Sequence, residues 1–477
     1  MAAVPAVLAN AAAVAQEPPV VAPAPPPAVQ AAPAPVITLS PAQAGTAIRV
    51  LEAANLHGLK PDAYLPADRA DQAALVQGLL RYARDVKIGR LSPGDFPELW
   101  AVRPAPYDPA PELAKAVAED RLQAWLDSLP PRYAGYVALK RGLARYREIA
   151  AAGGWKALPE GGPMGLGSND ARVPALRARL AAEDPLTQAT GSATFDKALQ
   201  DAVVRAQKRY GLKPDGVVGN GTLAYLNQPV GQRVLQIIAN MERWRWLPAT
   251  MPSTRVQVNS GAAIVTLFRD DKPVLSMKAV SGKPGDETPM LMSSIHSVVI
   301  NPPWNVPSRI AREELWPKER ANPGYLARNG YRIIPVEGGE PRLQQRSGDE
   351  SALGRFKFDF DNPFAVYLHD TPAKAGFDLY ARQASHGCVR IEKPRKLAEA
   401  LLAADAKWTD AAAMDQALGD GSKTQRVKLP EEVPVMILYW TAFAGADGQM
   451  HFRSDPYNWD RLLLTKVGVV GQVQAKA

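Results

Sequence analysis

Ser385-His386-Gly387-Cys388-Val389-Arg390 holds the only cysteine in 477 residues, so no intrachain disulfide can form. A free cysteine is most commonly a small buried hydrophobe. To act as a nucleophile it must become a thiolate, which an imidazolium, a guanidinium or a helix N-terminus favours. His386 and Arg390 stand within two residues, and Leu397–Leu402 reads as helix. The pattern predicts a turn at Cys388 leading directly into that helix. Main-chain N–H groups around His386, Gly387 and Cys388 would face an oxyanion, with Ser385 in the same loop. Gly387 lets the backbone approach closely, since it has no Cβ.

A second stretch makes the thiol more than a hydrophobe. Phe364-Ala365-Val366-Tyr367-Leu368-His369 alternates and is rich in strand formers. Alternation sets Tyr367 and His369 on one face, with Val366 and Leu368 on the other. His369 lies 19 residues before Cys388, across a loop with Pro372 and Gly376. A strand end and a loop meeting at one site suit a base and its nucleophile. His386, next to the nucleophile in sequence, reads as a structural or hydrogen-bonding group rather than the base. Arg390 has the chemistry to take a substrate carboxylate in bidentate fashion, or to pair within the loop. Tyr367 is a candidate cleft wall. Asp370 points away from His369 on the alternation, and a main-chain carbonyl is one group that could orient the ring instead.

Outward from this site the chain reads as multidomain α+β. Residues 40–165 have helical spacing: Ser40-Pro41 supplies an N-cap and N1 pair, and Leu75, Leu79, Leu122, Leu126, Tyr136, Leu139, Leu143 and Tyr146 form apolar stripes. Gly161 to Asn169 reads as a glycine-rich linker. Residues 168–230 form a small unit of three helices. A return helix over 231–252, with Trp244, Arg245 and Trp246, packs back on the first region and makes the small unit an insertion. From 253 to 477 the period is that of strands, with a hairpin turn at Asp270-Asp271-Lys272. A mixed segment at about 307–353 precedes the His369 strand and suggests a capping insertion. Ile391 to Ala404 reads as helix, and Val433–Tyr439 as a buried strand.

His369 followed by Ser385-His386-Gly387-Cys388 resembles the signature of the L,D-transpeptidases with a YkuD-type catalytic domain. Arg390, where many members have Asn, is similar to the long, YcbB-like subgroup. Gly282, Thr288-Pro289, Asn301–Pro307, Trp440-Thr441-Ala442 and Asp455–Asp460 match the same family in order. Ala198 to Asn227, with Gln207, Tyr210-Gly211-Leu212 and Asp215-Gly216, resembles a peptidoglycan-binding domain. The resemblance implies that Cys388 is the nucleophile and His369 its base. It further implies that the donor is a peptidoglycan tetrapeptide stem, that an amine acceptor gives a 3→3 cross-link, and that carbapenems inhibit. Water as acceptor would make the enzyme an L,D-carboxypeptidase, and a wall-binding scaffold without activity is the remaining alternative.

Composition sets the outer bounds. Lys and Arg number 56 against 48 Asp and Glu, a net +8 without a long basic run. That gives weak support for an acidic polymer such as cell-wall peptide and less for nucleic acid, for which no module signature appears. The five histidines and one cysteine show no metal spacing, and no glycine-rich phosphate loop occurs, so no cofactor is expected. Residues 1–39 begin as an apolar, signal-like stretch with Ala13-Val14-Ala15 in A-x-A form, then become Pro/Ala-rich. No Lys or Arg precedes Arg49, so the usual basic start of a signal peptide is missing. No internal apolar run of membrane-spanning length follows. The expectation is an exported, periplasmic protein of the cell envelope, with peptidoglycan stem peptides and other cell-wall synthesis proteins as partners.

Overall fold

The computed structural model describes residues 37–471. The signal-like segment and all but the last three residues of the Pro/Ala-rich stretch lie outside the described residues. Helix α1 (Pro41–Glu52) starts where the sequence places it: Ser40 accepts from the Gln43 N–H, and the Gln43 side chain reaches back to Ser40. Helices α2 (Gln72–Ile88), α3 (Ala110–Ala118), α4 (Leu122–Ser128) and α5 (Ala134–Ala151) follow. Their apolar stripes, Leu75 and Leu79 on α2 and Tyr136, Leu139, Leu143 and Tyr146 on α5, are buried.

The small unit contains α6 (Val173–Ala181), α7 (Lys197–Tyr210) and α8 (Asn220–Leu226). Gln207 ties it together, donating to Asp215 at 2.9 Å and accepting from the Gly216 N–H at 2.9 Å. The stretch read as a linker is instead part of this unit. Met164 bridges to Val218 and is buried, and Asn169 bridges to Thr194. A buried apolar side chain in a glycine-rich run overrides the turn signal around it. Helix α9 (Val230–Trp244) then packs against α5, where the absence of a side chain on Gly135 admits the Trp244 ring.

The strands are β1 (Arg255–Asn259), β2 (Ile264–Arg269), β3 (Lys272–Gly282), β4 (Leu291–Ile300), β5 (Trp304–Asn305), β6 (Tyr331–Ile334), β7 (Arg342–Gln345), β8 (Phe356–Phe360), β9 (Leu368–His369), β10 (Gln383–Ser385), β11 (Val389–Ile391), β12 (Gln425–Leu438), β13 (Ala442–Ala444) and β14 (Met450–Phe452). Asp270 and Asp271 adopt φ of 50° and 58°, the left-handed pair that closes the expected β2–β3 hairpin. The large sheet runs β10-β3-β11-β9-β8-β4-β12-β1-β2, and β2 also pairs with β3. The sheet therefore closes on itself as a ring. Each strand then has an inner and an outer face. Val258, Val265, Ala279, Val298, Phe358, Leu368, Val389 and Ile437 fill the inside. On the outside, Met436 and Leu438 of β12 join the core of the helical region, together with Tyr136, Ile237 and Trp244.

The insertion before β8 folds as a cap. It has a three-stranded sheet, β5-β7-β6, and short helices α10 (Ser308–Ile310), α11 (Trp316–Ala321) and α12 (Tyr325–Arg328). Val306, Ile310, Leu315, Leu326 and Leu343 give it a separate small core. Beyond the barrel strands, α13 (Pro394–Leu402) sends Leu397, Ala398, Leu401 and Leu402 into the barrel core. It starts three residues later than the sequence pattern suggests. Helices α14 (Ala411–Leu418) and α15 (Trp459–Lys466) complete the chain.

Candidate active site

Strands β9 and β11 lie side by side and parallel, with Leu368 opposite Val389 and His369 opposite Arg390. Leu368 and Val389 point into the barrel, so His369 and Arg390 point out. One residue earlier on each chain, Tyr367 and Cys388 are drawn together, and the Val389 N–H donates to the Tyr367 carbonyl at 3.1 Å. Strand β8 adds Lys357 opposite His369 on the same outer face. Cys388 and His369 are thus diagonal neighbours across adjacent strands, a relation with roughly 7–8 Å between backbones that side chains can span.

Two local expectations are corrected. Only Leu368–His369 of the alternating stretch is strand. The Asn362 side chain takes the N–H groups of Phe364 and Val366 and donates to the Val366 carbonyl, and Ala365 sits at φ 51°. An Asx-type turn has replaced ladder pairing there. Cys388 is followed by β11, not by a helix; α13 begins only at Pro394. A helix dipole therefore does not act on the thiol.

The imidazole of His369 is buried, and its Nδ1 faces the main-chain carbonyl of Asp370. With the proton on Nδ1 donated there, Nε2 keeps its lone pair. The orienting group is thus a carbonyl, as one reading of the sequence had it. The Asp370 carboxylate turns elsewhere, to the Arg355 N–H at 2.8 Å, the Thr371 N–H at 2.7 Å and Lys374. Burial first, and then the Arg390 charge, hold the His369 pKa down to about 3. The Cys388 thiol is pushed up by burial, against the pull of the Tyr367 main chain and hydroxyl, Lys357 and Arg390. The two groups rest neutral at pH 7.

Tyr367 packs between His369 and Lys357. Its ring meets His369 edge-on at 5.6 Å and carries the Lys357 ammonium 4.3 Å from its centre. Arg390 has no ion-pair partner among the described residues, and its Nε is buried without a hydrogen bond. Lys357, by contrast, pairs with Asp359 at 2.7 Å.

The loop itself is held by hydroxyls. Ser385 Oγ donates to the Cys388 carbonyl and accepts from the Gly387 N–H at 3.2 Å. That removes the Gly387 N–H from the expected oxyanion donors and leaves the Cys388 N–H without a partner among the described residues. Gly387 has φ 109°, and a Cβ there would find its nearest neighbour 3.7 Å away. Conformation rather than space requires glycine at this position. His386 Nε2 lies 2.6 Å from Glu314 of the cap, consistent with a hydrogen-bonding role. Arg309 of the cap pairs with Asp286 beside the loop. Glu314, Lys357 and Thr288 escape a reading of the sequence, since each reaches the loop only through long-range pairing. The one trace was the phrase Thr288-Pro289.

Residues 253–424 match the family model described as the L,D-transpeptidase catalytic domain, YkuD. Residues 35–143 match one described as a scaffold domain, and 169–226 one described as a "Putative peptidoglycan binding domain". A "Putative L,D-transpeptidase" of Haemophilus influenzae is 32% identical over 242 residues, covering 47% of this chain and 48% of that protein. The chain thus spans about half the length of the curated relative it matches. Among solved structures, the L,D-transpeptidase from Mycobacterium smegmatis is 16% identical with a TM-score of 0.21, over 39% of this chain and 58% of the other. The catalytic domain of the E. faecium L,D-transpeptidase acylated by ertapenem is 16% identical with a TM-score of 0.21, over 40% and 99%. The chain carries an L,D-transpeptidase catalytic domain of the YkuD type, joined to a peptidoglycan-binding domain.

Proposed function

We propose that this protein is a peptidoglycan L,D-transpeptidase that forms 3→3 cross-links through an acyl-enzyme on Cys388. The observation that carries this is the parallel register of β9 and β11, which sets Tyr367, His369, Cys388 and Arg390 on one outer face. His369 Nε2 removes the thiol proton as sulfur attacks the carbonyl before the terminal D-residue of a tetrapeptide stem. The Cys388 N–H, with that of His386 beside it, receives the oxyanion. The imidazolium then gives its proton to the leaving amine, and a thioester remains. An acceptor amine, that of a diaminopimelate side chain, loses a proton to His369 and attacks the thioester, which restores the thiol. The charges of Lys357 and Arg390 favour the sulfur anion during attack while the resting pair stays neutral. Arg390, without an acidic partner among the described residues, binds a stem carboxylate, and Tyr367 lines the cleft.

The small three-helix unit holds the enzyme at the wall, so the protein acts outside the cytoplasm. No helix of the described residues is long and apolar enough to cross a membrane. Incubating the protein with a disaccharide-tetrapeptide and resolving products by mass tests the reading. A cross-linked dimer is expected, lost in Cys388→Ala. Tripeptide without dimer would assign hydrolysis, and full cross-linking by Cys388→Ala would remove the cysteine mechanism altogether.

A further inference from the structure

Thr288 is wholly buried, at 0% exposure, on the loop between β3 and β4. Its hydroxyl lies 2.8 Å from the Gly282 main-chain N–H and 2.7 Å from the Gly387 carbonyl. The first partner can only donate and the second only accept, so the direction of both bonds is fixed. Thr288 Oγ1 accepts from Gly282 and gives its one proton to Gly387. Its position is fixed in turn by Tyr457, whose hydroxyl donates to the Gly282 carbonyl at 2.6 Å and faces the Thr288 N–H at 3.4 Å. Gly282 admits no larger residue, because a Cβ there would stand 2.0 Å from the Asp286 carbonyl oxygen.

The Gly387–Cys388 peptide is trans, so the Cys388 N–H points opposite to the Gly387 carbonyl. With that carbonyl drawn inward to Thr288, the N–H faces outward. It makes no hydrogen bond among the described residues. On the far side of the Cys388 Cα, Ser385 holds the next carbonyl. The carbonyls on both sides of the nucleophile are thus tied to hydroxyls, one from the same loop and one from a loop 99 residues away.

We propose that Thr288 is a positioning residue for acyl transfer: through the Gly387 carbonyl it aims the Cys388 N–H at the oxygen of the carbonyl under attack. The proposal rests on the reading of Cys388 as the acylated nucleophile. Two reactions of the same sulfur separate it from a merely structural role. Acylation by a carbapenem develops negative charge on a carbonyl oxygen and needs the donor. Alkylation by iodoacetamide displaces iodide at a saturated carbon and does not. In the full chain, Thr288→Val keeps the shape of the side chain and loses the proton. Intact-mass kinetics should show acylation slowed by about 10²–10³, the loss typical of one oxyanion donor, with alkylation near the wild-type rate. Thr288→Ser should restore acylation. Equal acylation by Thr288→Val and wild type, or equal slowing of both reactions, would overturn the proposal. If Thr288→Val does not fold, Tyr457→Phe decides: a selective loss of acylation supports the proposal, and an unselective or absent one refutes it. Failure of the wild type to be acylated at Cys388 would instead overturn the transpeptidase reading.

Discussion

Two imidazoles are buried and held neutral, in different regions and to different ends. His57, where α5 meets the turn after α1, and His369, on the outer face of the barrel, both have pKa values lowered to about 3, with burial the first cause. His57 Nδ1 meets the Tyr136 hydroxyl at 2.9 Å, and Tyr136 also receives Arg245 at 3.2 Å. Arg245 closes the set with Glu242 at 2.6 Å. That ring sits in a joint whose other members, Tyr136, Arg245 and Glu242, are tied to one another. The His369 ring is likewise held by one nitrogen, but its neighbours are the Tyr367 ring, edge-on at 5.6 Å, and a strand whose preceding residue is Cys388. A depressed pKa marks burial in both places; a cysteine on the neighbouring strand, in place of a closed set of hydrogen-bonded side chains, is what distinguishes the candidate site from the joint.

The sharpest way to break this contrast is to exchange each ring for an amide. His369→Gln should slow acylation of Cys388 by roughly 10²–10⁴, the range for a lost general base, and leave the fold intact by circular dichroism. His57→Gln should leave the acylation rate close to wild type and lower the unfolding midpoint instead. Comparable catalytic losses in both would erase the distinction. The joint can be attacked through its carboxylate. Glu242→Gln strands the Arg245 and Arg90 charges beside it, and loss of one partner from a buried pair costs about 3–5 kcal/mol. Denaturant unfolding should show it, while iodoacetamide labelling of the folded enzyme stays unchanged.

A smaller effect is expected at the guanidinium. Arg390→Lys keeps the charge but not the two-pronged geometry. It should raise KM for the tetrapeptide by about tenfold, in line with a charged hydrogen bond worth roughly 1.5–3 kcal/mol, with kcat less affected. Steady-state kinetics on the stem peptide reads the split. The mildest test uses pH. Both rings have folded pKa values below the ordinary 6.5. The stability that each supplies as a neutral group is complete above pH 6.5 and is lost as pH falls toward about 3. Each should contribute at most about 1.4 kcal/mol per pH unit in that window, and either Gln variant should remove its own share of the slope. Acylation by the wild type should show no inflection near pH 6.5; one there would place the His369 pKa far above its buried value.

Much of this was legible in local patterns. The N-cap at Ser40, the Asp270-Asp271 turn and the shared face of Tyr367 and His369 depend on neighbours in sequence, so the sequence displays them. The strand after Cys388 was not legible. Three residues, Val389–Ile391, become strand only because β3 and β9 flank them, and no propensity within Val-Arg-Ile announces that. The Asn362 turn was hidden for the opposite reason: one side chain outweighed a run of good strand formers. Thr288 lay unread because a buried hydroxyl in a loop has no meaning until its partner across the fold is known.

The closure of the barrel limits how this protein can change. A ring of paired strands cannot part to widen its own cleft, and substitutions inside it alter stability rather than reach. New substrate range must come from the insertion, which meets the Cys388 loop through Glu314 and His386. The inserted segment with its private core is built like a removable cassette: grafting a relative's version onto the ends of β4 and β8 would retune selectivity while Cys388, His369 and the barrel that holds them stay untouched.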